Sequence, residues 1–273
     1  MIEGGNDSPE YLARRDFFRS MLTVYGRKPV LEALSDHSLD CQVLHLAMSN
    51  RPGGILARIQ ALAEARGVAI RQHSRSALAR ISRNGKQDQG VAMDIRCPRF
   101  ATLDQYLKEL EPESGARLLA LDSIHNPQNL GMIVRSAVAG GISGLLWPRQ
   151  GTAAPGPLVI KSSAGTLYRA PVISCDSLLD ALTALRKRGV MVCTLNASAE
   201  ASLFDWQPRS SAVYVLGNET EGVSQAITDL ADRELAIPMQ NGVESLNVAV
   251  SAALVAFAGQ MFQRGPSPSH SES

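Results

Sequence analysis

From Arg117 to Phe262 the chain repeats one pattern: a short apolar run almost free of polar residues, then a stretch with helical spacing. Arg117–Leu121, Gly144–Trp147, Val190–Leu195, Val213–Leu216 and Glu234–Ile237 are the strand-length runs. Asn129–Gly140, Leu178–Arg188 and Asn247–Phe262 carry apolar residues at helical intervals, and glycines close the first two. Strands this apolar have both faces covered, and their alternation with helices implies a parallel sheet with helices on each side. The expected fold class is α/β. Open sheets of this kind bind ligands beyond the carboxyl ends of their strands, so the residues following each run are the ones to inspect.

A smaller unit precedes this one. Pro29–Leu34 predicts a short helix, Cys41–Ala47 a strand, Ile55–Ala65 a helix stopped at Gly67, and Val68–Ile70 a strand. Ser76–Ile81 predicts a helical turn and Gly90–Ile95 a last strand. Together they imply a small α/β module over residues 21–97. Residues 98–116 read as a linker: Thr102–Leu110 is helical in pattern, and Glu111-Pro-Glu-Ser-Gly115 is the acidic break before the main unit. The main unit is expected over 117–264, with a polar, flexible extension at 1–20 and a Pro/Ser-rich disordered tail at 265–273.

The net charge of +1 conceals a division. Residues 51–99 hold ten Lys/Arg against three acids, residues 1–99 net +5, and residues 100–273 net −4. A basic first third suggests contact with a polyanion, although the same count fits a solvated basic face. Cys41, Cys97, Cys175 and Cys193 are scattered without a Cys-x-x-Cys, and the five histidines show no ligand spacing. Buried reduced thiols and no metal are the expectation. No window reaches the roughly 20 apolar residues that span a bilayer, and the polar start Met-Ile-Glu-Gly-Gly-Asn-Asp does not read as a signal peptide. A cytoplasmic protein is expected.

Three motifs sit where ligands are expected. In Leu121-Asp-Ser-Ile-His-Asn-Pro-Gln-Asn-Leu-Gly-Met-Ile-Val-Arg-Ser-Ala137, a strand ends, Asn-Pro turns the chain, and a helix opens with Asn129 read as its cap. Arg135 lies inside that helix among apolar neighbours, a costly place for a guanidinium unless it meets an anion. Gly217-Asn-Glu219 puts a carboxylate one tight turn after a strand, and Ser245-Leu-Asn247 opens the last helix. Each also has an ordinary reading: a surface Arg, a solvated Glu, and Ser and Asn as helix caps.

In this order and spacing the motifs closely resemble those of the SpoU-type (TrmH-like) RNA ribose 2′-O-methyltransferases of the SPOUT superfamily. The resemblance covers residues 117–262, including Lys161-Ser-Ser-Ala-Gly-Thr166, and extends more weakly to the first unit. There Tyr25-Gly-Arg-Lys-Pro-Val-Leu-Glu-Ala-Leu34 and Asp88-Gln-Gly-Val91 look like the family's RNA-binding accessory domain, with Asp88 where His is usual. The resemblance implies a sheet whose C-terminal segment threads a loop as a deep trefoil knot, a rare exception to unknotted topology. It implies S-adenosylmethionine held by Leu195, Asn196, Gly217, Ile237, Met239 and Leu246. It also implies a homodimer with its sites at the subunit interface.

Under that resemblance, Arg135 binds the target phosphate and stabilises the forming alkoxide; a guanidinium keeps its proton and makes a poor base. Asn129 and Asn247 position the ribose and the loops, Ser245 hydrogen-bonds cofactor or ribose, and Glu219 orients Arg135 or a residue across the dimer. In the basic unit, Arg27, Arg75, Arg83 and Lys86 are expected to meet RNA, with Asn84-Gly85-Lys86 as a contact loop. The expected substrate is a guanosine of large-subunit ribosomal RNA. Transfer RNA is one alternative, and a non-catalytic RNA-binding assembly factor is another. An ordinary dinucleotide-binding enzyme is disfavoured because no Gly-x-Gly-x-x-Gly follows Leu121.

Overall fold

A computed structural model describes residues 20–208 and 210–261. The expectations for residues 265–273 and, apart from Ser20, for 1–20 therefore lie outside the described residues. The chain divides into two compact units: residues up to Ala101 with Pro155–Lys161, and Thr102–Ala154 with Ser162 onward.

In the first unit, β1 (Met21–Tyr25), β2 (Asp40–Ala47), β3 (Ala69–His73) and β4 (Val91–Arg96) form a sheet of order β1-β4-β2-β3. β4 is antiparallel to β1 and β2, while β2 and β3 run parallel. Helices α1 (Arg27–Ser35), α2 (Gly54–Ala65) and α3 (Arg75–Ser82) connect the strands. Leu34, Leu44, Ile59, Leu78, Met93 and Ile95 form its fully buried interior. β1 was not expected from the sequence; its alternation of half-buried Met21, Thr23 and Tyr25 with buried Leu22 and Val24 is a weak signal over five residues.

On one face of this sheet a polar row crosses four strands. Thr23 Oγ1 donates to Asp94 Oδ1 at 2.6 Å, His45 Nε2 lies 3.0 Å from Asp94 Oδ2, and His45 Nδ1 lies 2.9 Å from His73 Nε2. Burial pushes the Asp94 carboxyl up, but the hydrogen bonds from His45 and Thr23, together with the electrostatic pull of His45 and Arg71, outweigh it and leave the group below its usual value. Burial, His45 and Arg71 all push His73 down.

The second unit is a seven-stranded sheet of order β11-β9-β10-β6-β7-β8-β5. Its strands are β5 (Ala101–Thr102), β6 (Arg117–Leu121), β7 (Gly144–Pro148), β8 (Val172–Cys175), β9 (Met191–Leu195), β10 (Ala212–Leu216) and β11 (Arg233–Leu235). Every pairing from β11 across to β8 is parallel, as the apolar runs imply. The helices of this unit are α4 (Leu103–Glu109), α5 (Pro127–Ala139), α7 (Leu178–Lys187), α8 (Gln225–Leu230) and α9 (Val248–Met261), while α6 (Pro157–Ser162) groups up to Lys161 with the first unit. α7 covers one face, its Ala181, Leu182 and Leu185 packing with Val192, Val213 and Val215. Leu103, Tyr106 and Leu107 of α4 join that cluster, so the helix expected within the linker packs on the main sheet. α5 and α9 lie together so closely that a Cβ on Gly140 would sit 2.7 Å from the Ala256 carbonyl oxygen.

All four cysteines are free thiols, Cys41 half-buried and the others buried. Burial pushes Cys97 and Cys193 up to about 12 and Cys175 up to about 11, with Asp176 and Asp232 adding to the rise beside the latter two and Arg149 and Arg233 opposing it. No helix among the described residues is long and apolar enough to cross a membrane.

Candidate functional site

The order of the second sheet fixes where a ligand can bind. The chain runs β6, β7, β8 outward on one side of β6, then returns through β9 and β10 to the other side. The reversal falls between β6 and β10, whose carboxyl ends lie side by side with Leu121 opposite Leu216. Such switch points open a crevice at the strand ends. β9 and β11 run parallel beside β10, so the residues after β6, β9, β10 and β11 share that edge.

After β6, Asp122 is buried, accepting from the Ser224 amide at 2.7 Å and from Ser123 Oγ at 3.2 Å. Asn218 Nδ2 donates to the Ser123 carbonyl at 2.9 Å, and Asn218 and Gly222 exchange backbone hydrogen bonds of 2.9 Å in both directions. The loop after β10 is thus closed on itself and clamped to the loop after β6. Gly217 makes the closure possible, since a Cβ there would run into the backbone of Gly222 and Val223.

Asn126, not Asn129, caps α5: its Oδ1 accepts from the Gln128 amide at 2.9 Å, with Pro127 at the first helical position. The helix therefore begins earlier than the sequence reading placed it, because Pro is favoured at N1 and Asn126 supplies the cap. Asn129 then lies in the first turn, 6% exposed, with its carboxamide released from capping. Its Nδ2 donates to Glu219 Oε1, and its Oδ1 accepts from Asn247 Nδ2 at 3.3 Å. Asn247 Oδ1 accepts from the Ala249 amide at 2.9 Å and caps α9, as the sequence suggests.

The Glu219 carboxylate is therefore engaged by Asn129 within this chain, not by Arg135. Arg135 is exposed on α5, where the helix turns its position away from the buried Ile133, Val134 and Ala137, and it has no ion pair or hydrogen bond among the described residues. Ser245 is also exposed and has no hydrogen bond to a described residue. Asn129, Glu219 and Asn247 are brought together; Arg135 and Ser245 are not tied to them.

The six residues named for a cofactor fall on neighbouring loops. Half-buried Leu195 ends β9 and exposed Asn196 follows it, where the Asn196 amide donates to the Leu235 carbonyl at 3.0 Å and its Nδ2 to Glu234 Oε2 at 3.0 Å. Ile237 is buried just past β11, while Met239 and Leu246 are half-buried on the segment leading to α9. Thr194 Oγ1, one residue before Leu195, is buried without a hydrogen-bond partner. An orphaned hydroxyl beside these strand-end loops suits a ligand carrying polar groups. Among the described residues no cluster of three His, Cys, Asp or Glu could hold a metal ion.

The sequence reading assigned no role to Asp122 or Asn218. An acid at the end of an apolar strand, before the buried Ile124, is the signal that marks Asp122. For Asn218 the sign is its place between Gly217 and Glu219 in a tight turn, where Asn side chains mimic the backbone.

Fold and site define an α/β protein in which amide and carboxylate groups from three separate motifs meet at the sheet's switch point. The profile of the SpoU rRNA methylase family matches residues 116–257, and that of the RNA 2′-O ribose methyltransferase substrate-binding family matches residues 23–101. The chain belongs to the SpoU rRNA methylase family. It is 34% identical over 244 residues to an uncharacterised tRNA/rRNA methyltransferase of Mycobacterium bovis, covering 89% of this chain and 75% of that one. Among solved structures it resembles the SpoU methyltransferase AviRb from Streptomyces viridochromogenes in complex with AdoMet (TM-score 0.62, 21% identity, 94% of each chain). It also resembles an AdoMet-bound rRNA methyltransferase from Sinorhizobium meliloti (TM-score 0.61, 21% identity, 95% of this chain and 92% of that one).

Proposed function

We propose that this protein transfers a methyl group from S-adenosylmethionine to a ribose 2′-hydroxyl of RNA, with a guanosine of large-subunit ribosomal RNA as the target. The observation that carries this reading is the hydrogen-bonded chain Asn247–Asn129–Glu219, which joins all three motifs at the sheet's switch point. The bound cofactor supplies an electrophilic methyl group. This chain's residues must hold the hydroxyl in line, let its proton leave and stabilise the alkoxide; alignment alone is worth up to roughly 7–11 kcal/mol.

Asn129 and Asn247 set the ribose and loop positions, with Glu219 fixing the orientation of the Asn129 carboxamide. Exposed Arg135 clamps the target phosphate, and Ser245 bonds cofactor or ribose once a ligand brings them together. Leu195, Asn196, Gly217, Ile237, Met239 and Leu246 hold the cofactor, Thr194 being a candidate addition. A trefoil knot, with the Asn218-Glu219 and Ser245-Leu-Asn247 turns as its lips, belongs to the same reading.

The division of labour is RNA capture by residues 21–97, including Arg27, Arg75, Arg83 and Lys86, and catalysis by residues 117–264. A homodimer completes it, supported by the exposed Met132 on α5 and Val250 and Phe257 on α9. A cytoplasmic location follows from the substrate. Transfer RNA is the second reading, favoured by curated relatives named tRNA/rRNA methyltransferases. Mapping 2′-O-methylation across total RNA with and without the gene decides between them. If no site in either RNA is lost, the enzyme reading falls.

A further inference from the structure

Arg27, Ser49, Asn50, Arg51, Arg75 and Gln89 line a cleft of about 620 Å³ in the first unit. Three guanidinium groups and no carboxylate line it. Neither Arg27 nor Arg51 has an acidic partner among the described residues. Its volume lies in the range of ligand pockets and admits a nucleotide.

The walls are built rather than incidental. Gly26 (φ 95°) and Gln89 (φ 52°) hold left-handed backbone conformations on facing loops. The Arg27 amide donates to Gln89 Oε1 at 3.1 Å and Arg27 Nε to the Gln89 carbonyl at 3.3 Å, pinning the two loops together. Asn50 Nδ2 donates to the Gly90 carbonyl at 2.7 Å, an approach so close that a Cβ on Gly90 would collide with the Asn50 carboxamide. Behind the cleft Asp88 is fully buried, accepting from Ser82 Oγ and from the Gly90 amide, each at 2.9 Å. Its Oδ1 lies 3.6 Å from Arg75 Nη2 and so fixes one guanidinium from within.

We propose that this cleft seats one unstacked nucleotide of a single-stranded RNA segment, with Arg27, Arg51 and Arg75 on its flanking phosphates. Guanidinium forks suit phosphate oxygens, and the carboxamides of Asn50 and Gln89 keep a second hydrogen-bonding end for a base edge. Asp88 is a positioning residue that aims Arg75. Arg83 and Lys86, exposed on the loop after α3, lie outside the lining and supply only the surrounding field. This inference rests on the reading that the substrate is RNA.

The test titrates the full-length protein, without cofactor, with a short fluorescein-labelled single-stranded RNA and with a duplex RNA of equal length over a series of salt concentrations. Arg51→Ala and Arg27→Ala are expected to weaken single-strand binding about 10-fold each and to lower the salt slope by about 0.7. Duplex binding should move much less, and Arg51→Lys should recover only part of the loss. Unchanged affinity and slope in Arg51→Ala, equal losses on duplex and single strand, or no binding by the wild type would each overturn the cleft.

Methyl transfer is scored separately. Activity in the wild type with undiminished RNA binding by Arg51→Ala removes the cleft and leaves the enzyme reading standing. RNA binding lost in Arg51→Ala with no methyl transfer by the wild type leaves the cleft and removes the enzyme reading. The thermal transition of Arg51→Ala, whose side chain has no described partner to lose, should match the wild type.

Discussion

Asn247 donates from Nδ2 to Oδ1 of Asn129 at 3.3 Å, so the residue that caps the last helix is tied to one inside α5. Asn129 spends its other end on Glu219. A carboxamide accepts at one atom and donates at another, which this double contact uses; a carboxylate would face Glu219 with like charge.

Asn129→Asp and Glu219→Ala should therefore lower kcat about 10- to 100-fold, the worth of a hydrogen bond to a charged group. Cofactor affinity, read by calorimetry, should change less than about 3-fold, since neither side chain is among those assigned to the cofactor and Asn129 links Glu219 to the Asn247 cap. Equal losses in kcat and cofactor affinity would move Glu219 into the cofactor site.

Arg135 stands exposed and unpaired among the described residues, which suits a group awaiting an anion. Arg135→Lys keeps the charge and loses the planar fork, so kcat should fall at least about 10-fold if the contact is bidentate. Single-turnover methylation of substrate RNA measures this directly. A rate near that of the wild type would count against the fork geometry.

The parallel sheet was legible because both of its faces are buried, which strips polar residues from Leu118–Leu121 and Val213–Leu216. β8 was not, because Pro171 stands immediately before it and the half-buried Ser174 interrupts a strand of only four residues. The motif residues could be named from their order, but their partners could not. Whether Glu219 meets Asn129 depends on which residue starts α5: the sequence pattern reads Asn129 as the cap, and the structure puts Asn126 there with Pro127 at N1. The basic cleft was hidden for a related reason: Arg27, Arg51, Arg75 and Gln89 come together only through the β1-β4-β2-β3 strand order.

Gly131 is a packing requirement of α5. A Cβ there would lie 2.7 Å from the Ser163 amide nitrogen and closer still to Ser162 Oγ, whose own hydrogen bond to the Pro127 carbonyl (3.1 Å) holds this segment on the helix. Gly131→Ala gains helix propensity of roughly 1 kcal/mol. Overpacking against backbone costs about 1–3 kcal/mol, so a net loss is expected and the melting temperature should drop by a few degrees. Circular dichroism melting checks it; a higher melting temperature would mean that the Ser162–Ser163 segment yields freely.

The His45–His73–Asp94 row makes the first unit sensitive to acid in two windows. His73 is held below its usual 6.5, so the unfolded chain takes up a proton more readily than the folded one as pH falls through that value. Stability should be complete above about pH 6.5 and decline below it. Asp94 is held below its usual 3.8, so its contribution persists to lower pH and is lost as pH falls through its folded value. Thermal melts between about pH 7 and 5.5 test the first window, with His73→Gln, which cannot gain a proton there, expected to flatten the profile. A variant as pH-sensitive as the wild type would assign the first step to another group.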